Sequence, residues 1–223
     1  MLSEREFAWV AEQVQGDYDH LLVGTSLPWL LPRALHDLES WNERLASGSR
    51  GRLMARWAEK VRRSADLEHW AAFRKSFDRL ARLFERVGSG EETGGRPPAT
   101  ICVLSGDVHH AYAAGVRFPR QLGSKVYQLT CSPLHNYVPG FMKVVFRISW
   151  NRATERTVRL LLRGISGVPA VPVEWTRLCG PYFGDQIATL ELSGRSARLV
   201  FEQAGAEDGA APGLAPVAEL ELS

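Results

Sequence analysis

The chain has 223 residues, 45% hydrophobic and 23% charged, which is ordinary globular usage and excludes a disordered or fibrous polymer. Its net charge of +2 comes from 27 basic and 25 acidic residues, only four of the bases being Lys, and acids interleaved among the arginines exclude the basic stripe of a nucleic-acid binder. No apolar run reaches the ~20 residues of a membrane span, and no basic segment followed by an apolar stretch marks a secretory signal.

Three scattered cysteines, Cys102, Cys131 and Cys179, are too few and odd in number for a disulfide framework, and predict reduced thiols in a cytoplasmic protein. Ser3 to Glu6 forms a capping-box pattern ahead of Phe7, Val10, Ala11 and Val14, so a helix is expected almost from residue 1. Residues 19–26 form a short apolar run closed by Thr25 and Ser26, which reads as a buried strand. Two prolines, Pro28 and Pro32, then take the chain out of the sheet.

Residues 34–87 are helical in character. Leu38, Trp41 and Leu45 recur at threes and fours, Leu53, Trp57 and Val61 at fours, and Trp70, Phe73, Phe77, Leu80, Phe84 and Val87 at alternating threes and fours. Arg74, Arg79, Arg82 and Arg86 form the solvated face of this last helix. The Gly- and Pro-rich residues 88–98 predict a flexible loop into the next strand.

Residues 99–104, carrying Ile101, Cys102 and Val103, read as a buried central strand. At its carboxyl end stand Ser105, Gly106, Asp107, Val108, His109 and His110. In open α/β sheets ligands bind there, because the following amides and side chains leave the sheet. Gly106 permits a sharp turn. Asp107 and His109, two apart, can aim a carboxylate and an imidazole at one point, a donor pair suited to Mn, Fe or Zn, or to Ca where more oxygens gather.

Two more strands are expected at 111–118 and 125–131. Ser132, His135 and Asn136 then either line the same crevice or cap the next helix. Residues 139–150 and 153–163 read as helices, the second with Arg156, Arg159 and Arg163 outside, followed by a loop at 164–172. The chain ends in an antiparallel meander of 173–178, 188–192, 197–201 and 217–222, with a turn at Ser193-Gly194 and a mobile 205–216 loop.

The Leu104 to His110 segment, the helix around Trp70, and the stretch from Gln128 through Ser132, His135 and Asn136 together resemble the alkaline phosphatase D (PhoD-like) branch of the calcineurin-like metallophosphoesterases. The opening, with Trp9, the strand ending at Thr25-Ser26, and His36 to Trp41, resembles it too. The resemblance implies an α/β class: a partial four-layer αββα sandwich of mixed sheets with a C-terminal antiparallel meander. It implies a single domain over 1–223, with the α/β part in 1–163 and the antiparallel strands in 173–223.

The function it implies is hydrolysis of phosphate-ester small molecules at a dinuclear metal centre of Fe, Mn, Ca or Zn, whose ions clamp the phosphate and activate a water. Asp107 and His109 match the last metal-binding motif of the family and would be the metal-binding and catalytic pair. His110, His135, Asn136 and His36 would bind substrate, His110 matching no metal ligand and His36 standing in for a ligand histidine where this chain has Thr25-Ser26. The earlier metal motifs have no match in residues 1–100, so the chain resembles the carboxyl-terminal half of such an enzyme. The alternative expectation is a non-catalytic chain that self-associates or pairs with a partner supplying the other half, because a half-sandwich leaves an apolar face uncovered.

Overall fold

A computed structural model of the chain describes residues 2–46, 70, 73–132, 134, 139–166, 171–205 and 213–223. The expected helical repeat of Leu53, Trp57 and Val61 and most of the 205–216 loop lie outside these residues. Five helices are described: α1 (Glu4–Gln13), α2 (Arg33–Ala46), α3 (Arg74–Ser89), α4 (Gly140–Ser149) and α5 (Arg152–Ser166). The strands are β1 (His20–Thr25), β2 (Thr100–Ser105), β3 (Ala111–Arg117), β4 (Lys125–Thr130), β5 (Glu174–Tyr182), β6 (Gln186–Ser193), β7 (Ser196–Gly205) and β8 (Gly213–Glu221).

They make a mixed five-stranded sheet, ordered β1-β2-β4-β3-β5, and a separate antiparallel sheet, β6-β7-β8. In the large sheet β1, β2 and β4 run parallel, and β3 runs antiparallel to β4 and β5. The period of two along each strand sorts its side chains onto two faces. Ile101, Val103, Tyr112, Ala114 and Val126 face the helices, packing with Phe77, Leu80, Phe84 and Trp29. Cys102, Ala111, Ala113, Tyr127 and Leu129 face the other way and pack on Ala197, Leu199, Phe201 and Leu222. Helices, large sheet and small sheet are therefore three successive layers, with the inner strands β2, β4 and β3 of the large sheet buried on both faces.

The expected capping box is present at α1: Glu6 N donates to Ser3 Oγ at 3.2 Å, and Ser3 N donates to Glu6 Oε2 at 2.7 Å. The clearest sequence periodicity becomes α3, whose Phe77, Leu80, Leu83, Phe84 and Val87 are all buried. Its arginine face does more than keep it soluble. Arg79 reaches Glu4 at 2.6 Å and lies 4.0 Å over the Phe7 ring, tying α1 to α3.

Four expectations are corrected. The strand before Gly106, β2, is interior, but β4 is the centre of the sheet. The strand expected at 173–178 joins not the meander but the large sheet, as β5 against β3; its burial pattern suits either sheet edge, and only tertiary pairing decides. In α2 the expected apolar stripe is not the buried face throughout: Leu38 is 39% exposed, whereas Arg33, His36, Glu39, Ser40 and Asn42 are buried. Ion pairs with α5, from Arg33 to Glu155 at 3.7 Å and from Arg159 to Asp37 at 3.7 Å, help bring this polar face inward. The 88–98 loop is tightly tied, with Gly95 N on Gly90 O at 2.8 Å and Arg96 on both Asp17 and Asp19 at 2.6 Å.

Between β1 and α2 the chain crosses the helix-side face of the sheet as a strap. Trp29 N and Leu30 N donate to Gln128 Oε1 of β4, Tyr112 of β3 donates its hydroxyl to Leu30 O, and Trp175 of β5 donates to Leu31 O. Three neighbouring strands together hold residues 29–31 of the strap.

Candidate strand-end site

The parallel register aligns Thr25, Ser105 and Thr130 at the carboxyl ends of β1, β2 and β4. The ends of these three strands therefore carry a row of three hydroxyls. Ser105 Oγ and Thr130 Oγ1 are 2.9 Å apart, and Gln128 Nε2 donates to both, at 2.9 and 3.1 Å. The same amide's oxygen holds the strap, so one fully buried side chain fixes both the hydroxyl row and the chain that covers it. Thr25 Oγ1 accepts from Trp70 Nε1 at 3.3 Å. Gln128 was not among the expected site residues; the signal for it is an amide inside an otherwise apolar strand, where it must find partners.

From this edge β2 runs into the turn. Gly106 N donates to Ser26 O at 3.3 Å, which places Ser26 against the turn, and a Cβ on Gly106 would stand 3.6 Å from Cys131 O. Asp107 and His109 then both adopt positive φ, 58° and 55°. Left-handed backbone is uncommon for residues with a side chain and concentrates at functional sites. Val108 between them is buried and pins the turn, leaving Asp107 exposed and His109 half-buried.

His110 is fully buried. Its Nδ1 lies 2.6 Å from Val108 O, and its ring packs against Tyr112 at 5.2 Å, Phe146 at 4.4 Å and Phe183 at 6.0 Å. The structure thus places His110 behind the turn, supporting it from the aromatic side, and not on the open surface. His36 lies on α2 with no exposed surface, between Phe77 at 4.8 Å and Trp175 at 5.0 Å. Burial, then Arg74 and Arg33, push its pKa down to about 3, so the ring is neutral. It is a core residue near β5, not part of the hydroxyl row. Ser132 follows the row, its carbonyl accepting from Gln186 Nε2 at 2.9 Å. His135 and Asn136 lie outside the described residues.

Chemically the edge offers one exposed carboxylate, one imidazole and a row of hydroxyls. Among the described residues no group of three or more His, Cys, Asp or Glu side chains is placed to hold a metal ion, and a catalytic metal normally needs about three protein donors. The described residues alone therefore do not fit the dinuclear centre. The cysteines are free, and burial raises the thiol pKa of Cys102 to about 11, so it is not a ready nucleophile. No described helix is long and apolar enough to cross a membrane. Compared with protein-family models, with curated proteins and with solved structures, the chain matches none.

Proposed function

We propose that this chain carries part of the active site of a metal-dependent phosphoric ester hydrolase of the PhoD-like kind. The observation that carries the reading is the pair Asp107 and His109, both in left-handed backbone at the carboxyl end of an interior parallel strand. A sheet packed between helices and a second sheet is the coarse architecture such an enzyme needs. In this reading Asp107 contributes a carboxylate, His109 an imidazole, and His110 holds the turn by its contact with Val108 O. The donors that a working centre needs beyond these two would come from outside the described residues, and the substrate would be a phosphate-ester small molecule.

The test is hydrolysis of bis(p-nitrophenyl) phosphate and p-nitrophenyl phosphate by the purified chain, with Mn, Fe, Ca and Zn supplied in turn. Metal-dependent turnover that EDTA abolishes, and that falls at least tenfold in His109→Ala, is the expected result. No turnover by a folded chain would overturn the claim that it is catalytic.

A second reading, a non-catalytic chain that pairs with another, is favoured by a separate observation. Phe141 on α4 is 70% exposed and Leu160 on α5 is 76% exposed, with Val144, Val145, Ile148 and Leu161 about half exposed. Single exposed apolar residues are ordinary, but this many on two consecutive helices suits a covered face.

A further inference from the structure

Away from the strand-end site, α5, the start of α2 and β5 enclose a cleft of about 720 Å³, within the size range of small-molecule sites. Its lining is strongly cationic: six arginines against two glutamates, Glu155 and Glu174. The arginines come from four elements, Arg33 on α2, Arg117 on β3, Arg177 on β5, and Arg152, Arg156 and Arg159 on α5. Arg117 is the last of the seven residues of β3, which starts at Ala111; the cleft therefore sits at the other end of β3 from His110.

The positive charge is only partly compensated. Arg159 donates to Glu155 at 3.0 Å and stands 3.7 Å from Asp37, and Arg117 lies 3.8 Å from Glu174. Arg33 stands 3.7 and 3.9 Å from the same two glutamates, beyond hydrogen-bond length. Arg152 and Arg156 are exposed, and neither has an ion pair among the described residues. Arg33 is the more telling group. It is 6% exposed, its Nη2 donates to Val173 O at 3.1 Å, and its guanidinium is stacked 4.3 Å over Trp175. Its buried Nε has no hydrogen-bond partner among the described residues. Burial first, then Arg159, holds its pKa below the ordinary value, a shift that the negative charge of a bound anion would oppose.

The backbone adds to the field. Asn151 caps α5, accepting from Ala153 N at 2.8 Å, so the positive end of a 15-residue helix opens into the cleft beside Arg152. The aromatic faces are already used, Trp175 by Arg33 and Trp150 by Arg177 at 5.7 Å. What remains free to meet a ligand is charge and forked N–H donors, which suit the oxygens of phosphate groups. One phosphate would not engage arginines from four elements; a linked series would.

We propose that this cleft binds a soluble small molecule bearing two or more linked phosphate groups. The site is independent of Asp107 and His109, and its test does not depend on hydrolysis.

Inorganic tripolyphosphate is titrated into the full chain by isothermal calorimetry at pH 7.5 and low salt, with sulfate at equal ionic strength as control. Saturable 1:1 binding at least tenfold tighter than sulfate is expected. Arg152→Ala and Arg156→Ala, both at exposed positions where folding is not at stake, should each weaken it at least fivefold. Arg82→Ala on the exposed face of α3 should leave it unchanged. No saturable binding would overturn the proposal, as would an equal loss in Arg82→Ala. Retention on phosphatidylserine vesicles without tripolyphosphate binding would also overturn it, assigning the arginines to a membrane surface.

Discussion

The backbone at Asp107 and His109 is where residue chemistry and chain geometry conflict most. A side chain in the left-handed region costs about 1–2 kcal/mol, less for Asp, and glycine avoids it. His109→Gly is therefore expected to be more stable in urea than His109→Ala by about 1 kcal/mol, although both remove the imidazole. Equal stabilities would show that the φ of 55° is not held in solution. His36 makes a different prediction. Its pKa is about 3 in the fold against 6.5 ordinarily, so below pH 6.5 unfolding takes up a proton that the native state refuses. Stability is whole above pH 6.5 and falls as the pH drops toward 3, by about 2 kcal/mol at pH 5. His36→Leu should flatten that slope in denaturation curves measured from pH 5 to 7.5. At this scale the strand leading into Gly106 was legible, because its run of β-branched and apolar residues is a local signal. The left-handed turn and the burial of His36 were not, since each depends on segments far away in sequence.

Elements here are held less by their own propensity than by what crosses them. Gln128 joins β4 to the strap on one side and to Ser105 and Thr130 on the other. Gln128→Met keeps the volume but leaves the buried N–H groups of Trp29 and Leu30 without an acceptor. It should cost about 2–4 kcal/mol of unfolding free energy, far more than an exposed change such as Arg82→Ala. A loss below 1 kcal/mol would mean that water replaces the amide. α1 and α3 were legible from capping and periodicity, which are local signals. The buried face of α2 was not: periodicity marks Leu38, but ion pairs to Glu155 and from Asp37 turn the polar side inward, and the partners lie more than a hundred residues on. The arginine cleft was hidden for the same reason, its α5 arginines looking like an ordinary solvated face.

For the whole molecule, the three layers leave α4 and α5 with apolar side chains in water. The chain is therefore expected to self-associate with rising concentration, as read by light scattering on a sizing column. Phe141→Lys combined with Ile148→Lys should return it to monomer, while monomer behaviour of the unaltered chain at high concentration would remove the main support for a pairing role. The eight described strands were legible from apolar runs and alternation, but their division between two sheets was not, because β5 carries no local mark of its partner.

The small sheet is fastened to the large one at a corner. Gly194 opens the β6–β7 turn with φ of 52°, its carbonyl meets His20 Nε2 at 2.7 Å, and Arg195 reaches Pro97 O at 3.1 Å. The two sheets differ sharply in the loops their pairings close. β6 and β7 meet across a two-residue connection, from Ser193 to Ser196, whereas His20 must find Thr100, eighty residues away. Long closures are slow and short ones fast. In refolding followed by pulsed hydrogen exchange, amides of β6 and β7 should be protected before those of β1, and the reverse order would contradict this. The clasp at Gly194 then belongs to the end of folding, when a hairpin already made is seated against the edge of a sheet that has taken longer to assemble.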